Sequence, residues 1–332
     1  MDIDHIHFYV PDAKRTTDWF ARTMGFRAVE QVRSHQTHTE ILQTGSIQVL
    51  VSCPRTSESP VAEYLQQHPA GVADLAFRVT DLNAVLARGP HVKQLPSSQE
   101  HTNQVTIQGW GDLRHTLIQR PRDCAPAADG MNSIPVFTEI DHAVLNVERH
   151  QLQDAVRWYQ EILGFEARGY FDIQTERSAL CSQVLMHPDG TAQFPINEPA
   201  SVRSQIQEFL NFNRGPGIQH IALSTVNITD TVRQLRQRGL SFLDIPSSYY
   251  AQLRQQAETL ELDAIEDQQV LVELQEPSKA LLQIFTQPIF DEPTFFFEVI
   301  ERRLQAQGFG ERNFTALFEA IEREQLKRGT LI

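Results

Sequence analysis

Three side chains in the second half of this 332-residue chain have the chemistry to hold a metal ion together: His142, His220 and Glu298. Two imidazoles and one carboxylate are the donor set of an open non-haem iron(II) site, which keeps coordination positions free for substrate and oxygen. A strand histidine by itself is ordinarily a satisfied core residue, and a lone buried glutamate is ordinarily paired. This set stands out because the chain repeats itself with one change of chemistry. Ile3-Asp4-His5 opens one stretch and Ile140-Asp141-His142 opens another. Trp19-Phe20 with Gly25-Phe26 recurs as Trp158-Tyr159 with Gly164-Phe165. Where the first copy reads GVADLA at 71–76, the second reads GIQHIA at 217–222, so His220 stands in the place of Asp74. Glu298, in TFFFE, likewise stands in the place of Thr116, in HTLIQ. The first copy keeps His5, but Asp74 and Thr116 do not complete a donor set with it.

Strands must position these donors, because alternate residues of a strand share a face. His142 then falls with Ile140, Val144 and Asn146, His220 with Ile218, Ala222 and Ser224, and Glu298 with Phe296 and Ile300. Gln283 and Phe285 share a further face. The donors' neighbours are mainly apolar or small, which suits a metal inside a curved sheet rather than on its surface. Residues 6–10 read as a strand, and 12–23 as a helix with Trp19 and Phe20 buried and Gly25 closing it. Residues 41–44 and 47–51 alternate as strands. The same order recurs after residue 137. PRDCAPAADG at 121–130 has the prolines, small residues and glycine of a linker. Pro188-Asp189-Gly190 predicts a hairpin turn. Residues 251–270 are polar and predict a surface excursion with a short helix. Phe314, Leu317, Phe318 and Ile321 fall at helical spacing, so an amphipathic helix ends the chain, with Asn313 as its expected cap. Nothing in the first copy corresponds to it, which makes it a candidate cover for the site.

Composition bounds the rest. Hydrophobic content of 41% and charge of 21% are those of a soluble globular protein, and the length suits two domains. A net charge of −13 argues against nucleic acid or anionic lipid as partner. No apolar stretch approaches a membrane span, and the acidic start MDIDHIHFYV does not read as a signal peptide. Cys53, Cys124 and Cys181 are odd in number and far apart, so neither a disulfide framework nor a zinc pattern is expected; a reducing cytoplasm fits best.

The two-copy plan resembles the vicinal oxygen chelate superfamily, built of paired βαβββ units. The second half is similar to the 4-hydroxyphenylpyruvate dioxygenase family. The stretches that carry the likeness are IDHAV at 140–144, FPINEP at 194–199, SQIQ at 204–207, GIQHIA at 217–222, PSSYY at 246–250, LLQIFT at 281–286, PTFFFEVI at 293–300 and GFGERNF at 308–314. They run in the family's order over most of residues 137–332; the first half matches only the superfamily plan. Asp291-Glu292-Pro293 and Glu301 depart from the usual residues without touching a metal donor. The fold so implied is α+β, with two modules of paired βαβββ units forming open barrels and a C-terminal amphipathic helix covering the second. Residues 1–122 would be the domain without a metal site, 123–136 a linker, and 137–332 the catalytic domain with its lid helix.

The resemblance implies metal ligation by His142, His220 and Glu298 with Fe(2+) as cofactor. It implies substrate contacts from Ser178, Asn197, Gln205, Gln219, Gln283, Phe285 and Phe296, and lid positions at Phe309, Asn313 and Phe314. The implied reaction takes 4-hydroxyphenylpyruvate and O2 to homogentisate and CO2, by oxidative decarboxylation, ring hydroxylation and side-chain migration. A homo-oligomer, dimer or tetramer, is the implied assembly. The alternatives are 4-hydroxymandelate synthase, which hydroxylates the side chain of the same substrate, an extradiol ring-cleaving dioxygenase, and a non-catalytic binding protein of this architecture. Pro195, Asn197 and Phe285 look more like the ring-hydroxylating enzyme, and the Gly308-Phe309-Gly310 tail speaks against the extradiol class.

Overall fold

The computed structural model describes residues 1–88, 93–95, 103–120, 136–175, 178–254, 261–276 and 279–330. The first copy forms a seven-stranded sheet from β1 (Asp2–Tyr9), β2 (Arg27–Arg33), β3 (Thr37–Thr44), β4 (Ile47–Pro54), β5 (Gly71–Val79), β6 (Gln104–Gln108) and β7 (Arg114–Gln119). Its spatial order is β2-β3-β4-β1-β5-β7-β6. The second copy uses β8 (Ile140–Asn146), β9 (Glu166–Gln174), β10 (Ala179–Met186), β11 (Gln193–Pro199), β12 (Gly217–Ser224), β13 (Leu271–Glu276), β14 (Lys279–Phe285) and β15 (Phe296–Arg302). Its order, β13-β14-β15-β12-β8-β11-β10-β9, is the same with one strand added at an edge. Each sheet curls into an open barrel with a concave inner face, the α+β plan expected for a duplicated chain.

The repeated residues make repeated local structure. Helix α1 (Ala13–Trp19) is capped by Asp12, whose carboxylate accepts from Arg15 N. It runs into a π-turn at Phe20–Met24 and stops at Gly25 with φ +78°. Helix α4 (Leu152–Trp158) repeats this with a π-turn at Tyr159–Leu163 and Gly164 at φ +79°. Helices α2 (Pro60–Gln67) and α3 (Leu82–Leu86) complete the first copy; α5 (Gln205–Asn213) and α6 (Ile228–Gln237) follow in the second. Gln119 Oε1 accepts from Leu82 N at the start of α3, and Glu301 Oε2 accepts from Ile228 N at the start of α6. Glu301 thus holds a helix N-terminus that an amide holds in the first copy, where either side chain offers an acceptor.

The sheets share a core rather than standing apart. The Phe8 ring packs on Phe20, Phe295 and Phe297. Across the same junction Tyr159 OH donates to Nε2 of the fully buried His115, while His115 Nδ1 donates to Leu75 O. Burial holds this imidazole neutral by lowering its pKa.

Elsewhere, a tight turn after His187, closed by Gly190 N to His187 O, joins β10 to β11 as the Pro188-Asp189-Gly190 signal predicts. Helix α7 (Ser247–Leu253) leads into the polar excursion, whose short helix is α8 (Leu262–Asp267); residues 255–260 lie outside the described set. So do residues 121–135, which include most of the expected linker and Cys124. Cys53 and Cys181 are free. Among the described residues, no helix is long and apolar enough to cross a membrane. Helix α9 (Phe314–Arg328) ends the chain where an amphipathic helix was expected.

Candidate metal centre

Strand pairing brings the three donors together. Ala222 on β12 lies in register with His142 on β8 on one side and with Glu298 on β15 on the other, and His220 sits two residues along. The alanine leaves room for the larger side chains to lean together over it. His142 Nε2 lies 3.2 Å and His220 Nε2 3.6 Å from Glu298 Oε2. One ligand atom from each residue falls within 4.8 Å of the other two. Atoms that share one cation lie about 3–3.5 Å apart, so both contacts to Glu298 already fit one and the two imidazoles would only have to close toward each other. All three are buried, His142 at 2%, His220 at 9% and Glu298 at 1% exposure.

The surroundings orient the donors. His142 Nδ1 donates to Asp141 Oδ1 at 2.9 Å, which turns Nε2 toward Glu298 as the atom that would meet a cation. Asp141 is in turn gripped by Arg302 through two bonds of 2.7 Å. Burial opposes a charge on His142, but Glu298 and the Asp141 bond outweigh it and raise its pKa to about 9. Burial and the neighbouring His142 push His220 the other way, well below the usual imidazole value. A spot that draws positive charge toward buried carboxylates, beside an imidazole held neutral, suits a divalent cation. His220 is held by ring contact instead: Phe296 stacks on it at 4.8 Å and 16°, and Phe285 meets it edge-on at 6.2 Å. Its Nδ1 is buried without a partner. On the other side, Gln283 Nε2 donates to Glu298 Oε1 at 2.9 Å.

The donors form one wall of a cavity inside the curved sheet. Val144, Leu180, Val184, Pro195, Phe285 and Phe296 make it mostly apolar, and Ser182, Asn197, Gln205, Gln219 and Gln283 add neutral polar groups. Among the described residues, no lysine or arginine lines it. Helix α9 closes the cavity with Phe314, Leu317, Phe318 and Ile321, and Phe309 sets its ring edge against His142 at 5.2 Å. Burying Leu317 and Phe318 is worth about 1.5–3 kcal/mol each.

Two sequence expectations shift here. Ser178 does not line the cavity. It lies on the same face of the hairpin as Ser182 but four residues away, about 13 Å along the strand. There Ser178 Oγ and Thr175 Oγ1 donate to Glu322 of α9, at 2.7 and 2.6 Å. The serine in the cavity is Ser182, directly opposite Asn197 in the β10–β11 ladder. Counting register from Asn197 would have found it, had the hairpin length been known. Asn313 does not cap α9: it already has helical angles and makes no cap bond. Its amide is drawn inward, donating to Gln283 Oε1 at 3.1 Å and accepting from Tyr249 OH at 3.0 Å. Gln219 and His220 are consecutive yet both face the cavity, because a bulge between Ile218 and His220 breaks the alternation. At Gly310, φ is +75° and a Cβ would collide with the Gln283 amide oxygen, so only glycine lets the lid backbone approach so closely.

A contrast between the two serines is testable. Ser182→Ala is expected to raise the KM for substrate about tenfold, the loss of roughly 1.4 kcal/mol of hydrogen bonding. Ser178→Ala should leave KM unchanged and lower stability, because Glu322 loses a buried donor. Steady-state kinetics and thermal melts of the two variants check this.

Residues 4–91 and 139–274 each match the Glyoxalase/Bleomycin resistance protein/Dioxygenase superfamily. Fold and site together define a two-module dioxygenase of that superfamily, with three side chains that could hold a metal ion in the second module. A 4-hydroxyphenylpyruvate dioxygenase from Yarrowia lipolytica is 36% identical over 368 residues, covering 99% of this chain and 93% of the relative. One from Dictyostelium discoideum is 35% identical over 365 residues, covering 99% of each. Among solved structures, a triple mutant of 4-hydroxymandelate synthase from Streptomyces coelicolor superposes with a TM-score of 0.85 at 28% identity, covering 98% of both chains. The chain belongs to the 4-hydroxyphenylpyruvate dioxygenase family.

Proposed function

We propose that this enzyme converts 4-hydroxyphenylpyruvate and dioxygen to homogentisate and carbon dioxide, with Fe(2+) held by His142, His220 and Glu298. The observation that carries this is the pairing of those donors with a largely apolar cavity that has no lysine or arginine among its described lining residues. A keto acid carboxylate buried there has a bound cation as its counter-charge. Ferrous iron bound by two histidines and a carboxylate supplies dioxygen activation and a chelating seat for the α-keto acid.

The chain's own residues bind, orient and exclude water. Asp141 keeps the His142 proton on Nδ1, and Gln283 holds Glu298 Oε1 so that Oε2 faces the histidines. Phe285 and Phe296, 6.2 Å apart and nearly perpendicular, border a slot for an aromatic ring. Gln205 Oε1 is buried without a partner, which costs about 1–3 kcal/mol. A phenolic hydroxyl is a donor that would relieve it. Ser182, Asn197 and Gln219 offer further polar contacts, and Ser178 serves to anchor α9. Phe309, Phe314 and the apolar face of α9 keep water from the reacting groups. We assign this chemistry to residues 137–332, with residues 1–122 as the domain that carries no metal and 123–136 between them.

Oxygen uptake with 4-hydroxyphenylpyruvate, followed by product identification, tests the reaction. One equivalent of homogentisate per O2 is expected. 4-Hydroxymandelate as product would instead assign the side-chain hydroxylation of the 28%-identical structural neighbour. Iron-loaded protein that consumes no oxygen would reject both.

A further inference from the structure

We infer that Arg302 is a positioning residue that ties the support of His142 to the root of the lid, so that metal order and lid order are coupled. This rests on the assignment of His142, His220 and Glu298 as iron ligands. Arg302 ends β15, four residues beyond Glu298, and its side chain is 19% exposed. Its guanidinium serves two clients at once. Nε and Nη2 donate to the two oxygens of Asp141, the carboxylate that holds His142 Nδ1. Nη1 donates to Ala306 O at 3.1 Å and Gly308 O at 2.9 Å. Gly308 leads directly into Phe309, whose ring meets that of His142 in a T-shaped contact. The contacts therefore close a circuit: Arg302 to Asp141 to His142 to Phe309 to Gly308 and back to Arg302. A planar fork with fixed donors is suited to such a role, where a single ammonium is not.

Two further observations point the same way. Leu304 and Gln305, between Arg302 and the carbonyls it holds, have φ of +51° and +59°. Consecutive non-glycine residues in the left-handed region persist only where neighbouring contacts enforce them. The first copy supplies an internal control. His5 Nδ1 donates to Asp4 at 2.9 Å, as His142 does to Asp141. Asp74 pairs with Arg114 as His220 pairs with Phe296, so by register Arg120 is the counterpart of Arg302. Yet Arg120 Nη1 stands 4.0 Å from Asp4, 45% exposed, and the nearer cation is Arg78. The His–Asp pair belongs to both copies, whereas the tight guanidinium fork accompanies the copy with the donor set.

The test compares wild type with Arg302→Gln, Asp141→Asn and the double variant of the full chain. Ferrous ion affinity is measured anaerobically by chelator competition, and amide hydrogen exchange is followed over residues 304–313 with and without iron. Outer-sphere partners of metal ligands are typically worth about 10- to 100-fold in affinity, and a loss of that size is expected in each single variant. The double variant should be no weaker than the worse single one, since both act through His142. Iron should slow exchange at 306–310 in wild type and not in Arg302→Gln. Arg302→Lys, which keeps the charge and loses the fork, gives the same comparison should the glutamine variant not fold. Folded Arg302 variants with wild-type iron affinity, effects of Arg302→Gln and Asp141→Asn that multiply, or iron-slowed exchange that persists without the fork would each overturn the coupling. Wild-type protein that binds no ferrous ion would instead overturn the ligand assignment beneath it.

Discussion

Glu298→Gln is expected to abolish iron binding and turnover together while leaving the protein folded. The substitution is nearly isosteric, and its amide oxygen can still accept from Gln283, so the packing of β14 and β15 has no reason to change. What is lost is the one negative charge in the donor set. Outer-sphere changes cost about 10- to 100-fold in metal affinity, and removing a charged ligand should cost at least about 1,000-fold. His220→Ala should have the same effect on activity, but it also removes the ring that Phe296 stacks against, so some stability should be lost with it. Metal content by elemental analysis, oxygen uptake and a thermal melt on the same preparations separate these effects. Normal turnover by folded Glu298→Gln protein would discard the site.

Removing the metal from unmodified protein should be equally severe and, unlike the substitutions, reversible. A strong ferrous chelator followed by desalting is expected to bring oxygen uptake to background, and ferrous iron to restore it. Zinc should occupy the same donors without restoring turnover, because it has no redox chemistry. Binding also stabilises: iron at about 1,000 times its dissociation constant adds about 4 kcal/mol to the folded state. The iron-free protein should therefore melt earlier, and the difference should vanish in Glu298→Gln. Turnover that survives complete iron removal would overturn the proposed chemistry, whatever the family.

The meeting of His142, His220 and Glu298 was legible because duplication turned three scattered residues into a comparison. His220 against Asp74 and Glu298 against Thr116 are differences at matched positions, and the β12–β15 and β5–β7 registers align them as the repeat implied. The terminal helix was legible from Phe314, Leu317, Phe318 and Ile321, all of which line the cavity. The serine was misplaced because loop length between strands is invisible to a pattern of period two: Ser178 and Ser182 share a face, and only pairing with Asn197 distinguishes them. Asn313 fits a cap by residue type, but an amide within reach of Gln283 and Tyr249 is better satisfied there. Arg302 carried no signal at all, since an arginine at a strand end is unremarkable until its partners are known.

Residue types and their spacing were enough to determine that this chain is two copies of one plan, that one copy carries two histidines and a glutamate where the other does not, and that an amphipathic helix follows that copy alone. These are local properties, set by side-chain chemistry and by the periods of strand and helix. Register, bulges and closure belonged to the tertiary structure. It alone decided that Gln219 turns inward beside His220, that Ser182 rather than Ser178 faces the cavity, and that one guanidinium joins Asp141 to the loop beneath Phe309. Each depends on which residue of a distant strand or loop stands opposite, and that is settled by packing of the whole sheet and not by any stretch of chain alone.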